Sequence, residues 1–136
     1  MAGAGSDAAL LAQFVPKAQL RFTRRLCLGE EGDFFKGKLA ELAETIRAMP
    51  VVYGQDGKGE ATVVHLHYFA GSADWYITEK DSEAEQLQAF GLADLFGDGG
   101  ELGYISIEEL VAEAGVEIDY HWTPKTLAEV RASRRR

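Results

Sequence analysis

His65 and His67 stand two residues apart in Ala61–Phe69, a run that alternates as a β-strand does. Side chains two apart share a strand face, about 6.5–7 Å from each other by strand rise. Two imidazoles so placed are half of a zinc site, and a third ligand must come from another strand. His121 is the histidine candidate, with Glu79, Glu117 and Asp119 as carboxylate alternatives. No cysteine-rich spacing and no helical HExxH accompanies them. The expectation is therefore no bound metal and no cofactor, with the histidines meeting water or acids at a half-wet sheet surface. A metal-dependent enzyme using His65 and His67 is the alternative.

Other reactive groups carry less. Glu79, Glu101, Glu108 and Glu109 could act as acid/base pairs, but nothing in the sequence fixes two of them at a defined separation. Glu108 and Glu109 already suit a helix N-terminus. There is no Gly-x-Ser-x-Gly elbow and no phosphate-binding loop. Cys27 lies beside Arg24 and Arg25, which favour a thiolate, yet an idle or buried thiol is the simpler reading. Trp75, Tyr76, Tyr104 and Trp122 could stack on bases and, with the basic chain ends, make a single-strand nucleic-acid binder. Core packing is the simpler reading of these aromatics too. The expectation is a protein without catalytic activity.

These groups need elements to hold them. Asp7–Phe14 suits a short helix stopped by Pro16, and Gln19–Leu28 alternates weakly as an edge strand. Asp33 is placed to cap a helix from Phe34 to Met49. Phe35, Leu39, Leu42, Ile46 and Met49 form its apolar stripe, which must cover a sheet. Val51–Tyr53 and Ala61–Phe69 flank Asp56-Gly57, the mark of a hairpin. Val64, Leu66 and Tyr68 take the buried face of the second strand. Ala70–Asp74 turns the chain and Trp75–Glu79 pairs back. Ser82 to Glu85 has capping-box spacing for one helical turn. Strands follow at Gln88–Phe96 and Leu102–Ile107. A second capping box at Ser106 opens a helix closed by Gly115. Val116–Trp122 alternates with Val116, Ile118, Tyr120 and Trp122 inward. Thr123-Pro124 starts a last helix.

The sum is an α+β fold: an antiparallel sheet of about five strands with helices packed mainly on one face. Residues 33–130 form the single domain, 1–32 a partly ordered N-terminal arm with its first six residues frayed, and 131–136 a disordered basic tail. A chain of 136 residues suits one domain, and 46% apolar residues fit a globular class. A single cysteine excludes an internal disulfide, and the N-terminus lacks the basic region of a signal peptide, so a cytoplasmic location is expected. Apolar runs are too short to span a bilayer.

Net charge is −8, unevenly spread. Gly29–Asp119 holds 20 acids and 5 bases, a net of −15, while residues 1–28 contribute +3 and residues 120–136 contribute +4. Phosphates repel such a body, so duplex DNA binding by it is not expected. A basic protein partner is favoured, against the simpler possibility that the acids only confer solubility.

The segment VHLHYFAGSADWYITEKD, the later AFGL and the block ELGYISIEEL resemble domain of unknown function family twenty-nine fifty-eight. The matching residues are His67, Phe69, Trp75, Tyr76, Glu79, Phe90, Gly91, Glu101, Leu102, Gly103, Tyr104, Ser106, Leu110 and Pro124, within roughly Met49 to Val130. The resemblance implies a small α+β protein carried on bacterial plasmids, conjugative elements or phages, and it supplies no catalytic residue. Trp75, Tyr76, Glu79, Glu101 and Tyr104 are the candidate interaction residues. The function expected is that of an accessory protein of a mobile element that binds a basic partner. Its sharpest form is an acidic nucleic-acid mimic that inhibits host defence, of anti-restriction or anti-CRISPR type.

Overall fold

The structure is a computed structural model and describes residues 4–134. Helix α1 (Ala4–Phe14) ends before Pro16, whose ring cannot continue it. Helix α2 (Lys17–Leu26) follows where an edge strand was expected. Its alternation is a short sample of a helical stripe: Leu20 and Thr23, three apart, are buried, and Cys27 packs beside them. Helix α3 (Gly32–Ala48) starts one residue before Asp33 and takes no side-chain cap from it. Gly32 is required there, because a Cβ would lie 2.2 Å from the Cys27 carbonyl oxygen.

The predicted hairpin around Asp56-Gly57 is absent. Residues 51–62 instead form successive turns, with Gly54 N–H donating to Val51 O and Asp56 N–H to Tyr53 O. The tract ends in a short 3-10 turn at Gly59–Ala61. Val52 N–H donates to Lys80 O and Lys80 N–H to Pro50 O, which ties the start of this tract to the end of a strand. Strand β1 (Val63–Val64) therefore finds another partner, β7 (Lys125–Thr126).

The main sheet contains β2 (Leu66–Ala70), β3 (Ala73–Glu79), β4 (Ala89–Asp94), β5 (Glu101–Ile105) and β6 (Glu117–Ile118), in the order β5-β4-β3-β2-β6. Every pairing is antiparallel. The expected α+β fold with five antiparallel strands is thus what forms. The tract from Ser82 to Glu85 is a turn rather than a helix: Asp81 takes the capping role, accepting from the backbone N–H groups of Glu83 and Gln88. Those donors hold the Asp81 carboxyl below its usual range.

Ser106 does cap α4 (Ile107–Ala112), accepting from Glu109 N–H. Beyond β6 the predicted alternation breaks. Trp122 N–H donates to Asp119 O, and this turn carries the chain to the far side of the sheet. The last helix, α5 (Leu127–Arg134), is capped by Thr126 rather than by Thr123-Pro124. Glu129 N–H donates to Thr126 Oγ1 while Glu129 accepts from Thr126 N–H, a reciprocal capping box. Residues 131–134 of the expected tail lie in this helix; residues 1–3 and 135–136 are outside the described residues.

Each sheet face has its own core. Leu11, Phe14, Leu20, Leu42, Ile46 and Leu110 from α1 to α4 bury Leu66, Tyr68, Ile77 and Ile105. On the far face Leu127 and Val130 of α5 meet Val64, Tyr76 and Leu92, with Trp122 against them. The N-terminal helices contribute to the first core, so residues 4–31 are part of the domain wherever they are described.

Candidate functional site

The two outer strands of the sheet are treated differently. An unpaired strand edge exposes a row of backbone donors and acceptors, which proteins normally cover or shorten. The β6 edge is short and is sealed by Gln19 of α2: its Nε2 donates to Ile118 O at 2.9 Å and its Oε1 accepts from Ile118 N–H at 2.8 Å. Strand β5 has β4 on one side and, among the described residues, no strand on the other. Three hollows lie along it, and Tyr104, 54% exposed, borders all three.

The first hollow, 270 Å³, sits between β5 and the 51–62 tract. Its mouth is spanned by Tyr53 and Tyr104, whose hydroxyls are 3.0 Å apart. This contact raises the Tyr104 phenol above its ordinary pKa. Tyr53 is 71% exposed and has φ of 76°, a left-handed conformation that a bulky side chain adopts only when its surroundings impose it. Phe90 meets the Tyr104 ring edge to face at 5.6 Å. Deeper lie Gln55, Thr78 and Glu79, all buried. Gln55 clamps the tract to the sheet: Nε2 donates to Val63 O and Thr78 O, both at 2.9 Å, and Oε1 accepts from Val63 N–H.

The second hollow, 380 Å³, runs beside Glu101 and Leu102 to the exposed Phe96. The third, 510 Å³, lies on the helical face between Trp75, Ile105, Glu109 of α4 and Glu113 just after that helix. Among the described residues none of the three is lined by a lysine or arginine. For the second and third hollows, lined chiefly by residues 93–116, the sequence supplies the reason. Between Lys80 and Lys125 it contains no lysine or arginine and eleven acids: Asp81, Glu83, Glu85, Asp94, Asp98, Glu101, Glu108, Glu109, Glu113, Glu117 and Asp119. That stretch builds β4, β5, α4 and β6.

The five candidate interaction residues do not form one patch. Glu79 and Tyr104 share the first hollow, and Glu101 lies on the open edge. Trp75 faces the helices, whereas Tyr76 is 4% exposed on the opposite face. Trp75, Tyr76, Tyr104 and Trp122 accordingly make no common stacking platform. The residues that sequence reasoning missed are Tyr53, Gln55 and Gln19. Tyr53 and Gln55 fall in a tract with hairpin signals, and Gln19 carried no signal at all.

The histidines separate as well. His67 Nε2 is 2.7 Å from Asp74 Oδ1 and its Nδ1 is 3.2 Å from Asp119 Oδ2. A neutral ring donates at one nitrogen, the protonated ring at both. The ring stacks on Tyr76, centroids 4.8 Å apart and planes 6° from parallel, with Trp122 at 5.1 Å. His67 therefore joins β2, β3 and the 119–122 turn as a strut. His65 lies in the break between β1 and β2, and burial, aided by Lys58, lowers its pKa. His121 is exposed, and only its backbone N–H reaches Asp119. Among the described residues no group of three or more His, Cys, Asp or Glu side chains is placed to hold a metal.

The family described as "Protein of unknown function (DUF2958)" matches residues 36–130. The chain belongs to that family. The match takes in most of α3 as well as the whole sheet, beyond the start at Met49 that the motifs suggested. No curated protein and no solved structure matches the chain significantly. No helix among the described residues is long and apolar enough to cross a membrane.

Proposed function

We propose that this chain is a non-enzymatic, cytoplasmic accessory protein of a bacterial mobile genetic element that binds a basic protein partner along the β5 side. The observation that carries the reading is the β5 edge, which no further strand covers and which borders three hollows with acids and no lysine or arginine in their walls among the described residues. A second copy of the chain would set Glu101, Glu109 and Glu113 against acids of the same kind, which repel. A basic surface would meet them favourably, and long-range attraction would speed the encounter. Duplex DNA would be repelled by the same field. The sharpest version is an acidic mimic of nucleic acid that occupies the nucleic-acid groove of a host defence nuclease.

The test is affinity capture from cells that encode the protein, using wild type and a Glu101→Gln, Glu109→Gln, Glu113→Gln variant. The expected result is a Lys/Arg-rich partner retained by wild type, lost from the variant, and released as salt screens the field beyond about 8 Å at physiological ionic strength. Equal retention by both proteins, or tight salt-sensitive binding of duplex DNA by wild type, would overturn the reading.

A further inference from the structure

The first hollow contains a buried acid that no cation pairs with among the described residues. Glu79 is 6% exposed and lines the hollow. Its side-chain partner among the described residues is Gln55, whose Nε2 donates to Oε2 at a long 3.4 Å. Its neighbour Lys80 points elsewhere: Lys80 Nζ donates to the carbonyls of Ile46 at 2.8 Å and Arg47 at 3.4 Å, at the C-terminal end of α3. Taking a carboxylate out of water is costly unless it is paired and fully hydrogen-bonded. Among the described residues no cation pairs with Glu79 and its contact with Gln55 is long, in a hollow that Tyr53 and Tyr104 also line.

We propose that this hollow is a receptor for one arginine side chain of the basic partner. The proposal rests on the protein-binding reading above and assigns it an anchor. Three observations converge. The volume of 270 Å³ falls just below the roughly 300–1,000 Å³ of pockets that hold drug-sized ligands, and so suits a single side chain. The walls at Tyr53, Phe90 and Tyr104 are aromatic, and a planar guanidinium stacks on aromatic faces while its N–H fork takes a carboxylate. Glu79, among the lining residues, supplies that carboxylate. Arginine is also among the residues that most often anchor protein interfaces from within such desolvated pockets. The strained backbone at Tyr53 fits a residue held in position for contact rather than for packing.

The experiment is an NMR titration of the full chain with N-acetyl-arginine amide, and with N-acetyl-citrulline amide as its uncharged isostere. Saturable shifts are expected at Tyr53, Gln55, Glu79 and Tyr104 with the arginine probe. The citrulline probe and a Glu79→Gln variant should each bind about tenfold more weakly or worse, as expected when a charge-assisted pair is removed. Should Glu79→Gln lose its dispersed spectrum, Tyr104→Ala, at an exposed position, opens the rim and is expected to weaken the arginine probe likewise. Equal shifts from both probes, or arginine shifts spread over the acidic surface and unchanged in the variants, would overturn the proposal. Absence of arginine binding while partner capture persists would reject the receptor and leave the protein-binding reading standing. Arginine binding without any basic partner would do the reverse.

Discussion

Trp122→Ala is expected to destabilise the fold by about 3 kcal/mol, the low end for a large aromatic because the ring is only half-buried. The indole Nε1 donates to Val64 O at 3.0 Å, the ring borders His67 and Tyr76, and Lys125 Nζ lies 4.6 Å above it. A denaturation midpoint unchanged from wild type would show that the second core does not depend on this ring. Trp122 also marks a limit of reading residues from sequence. Its burial was legible from the alternation of Val116, Ile118 and Tyr120, but its face was not. The 119–122 turn sends it across the sheet, and a turn set by the backbone bond from Trp122 to Asp119 leaves no periodic trace. The pairing of His65 with His67 failed for a related reason. Sharing a strand parity did not survive the break after β1, and the acids that reach His67 come from 7 and 52 residues away.

Strand β4 is held so close to β3 that a Cβ at Gly91 would sit 2.0 Å from the Tyr76 carbonyl oxygen. Neither strand can withdraw without breaking the ladder, so Gly91→Ala is expected to cost at least about 3 kcal/mol. At Gly103, on β5, nothing lies within 4 Å, and Gly103→Ala should stay within about 0.5 kcal/mol of wild type. Comparable losses from both substitutions, measured by urea unfolding, would contradict the packing described for β3, β4 and β5. The break between β1 and β2 has its own signature. The folded state binds a proton at His65 less readily than the unfolded chain. The contribution of His65 is therefore fully present above its ordinary pKa of about 6.5 and is lost as pH falls through the lower folded value. His65→Gln should flatten that part of the pH–stability curve as pH falls below about 6.5; an identical slope in the variant would remove His65 from the account. Long, periodic elements were legible: the α3 stripe, the buried face of β2 at Leu66 and Tyr68, the β2–β3 hairpin and the Ser106 cap, whereas Val64, expected on that same face, lies in the opposite core beyond the break after β1. Short ones were not. Lys17–Leu26 showed too few apolar residues to separate period two from period 3.6. The Asp56-Gly57 turn was real, with Gly57 at φ of 85°, but it closes a chain of turns instead of a hairpin.

At the scale of the whole molecule, α1 and α2 complete the larger core and seal the β6 edge through Gln19. Removing residues 1–31 should abolish cooperative unfolding, because Leu42, Ile46 and Tyr68 lose apolar cover supplied by Phe14, Val15 and Leu20. A truncated chain that still melted in one sharp transition would make those helices an accessory. The uneven charge was legible from sequence, and its consequence was not. Only the topology places β4, β5 and α4, the larger part of the stretch without lysine or arginine, together, and among the described residues no further strand covers β5. Zero-length carboxyl-to-amine cross-linking of the captured complex tests the central claim most directly. The account predicts partner lysines joined to Glu101, Glu109 and Glu113 beside β5, with few links to the acids of α3, Glu41 and Glu44. Cross-links concentrated on α3, with the β5 acids unlinked, would contradict it.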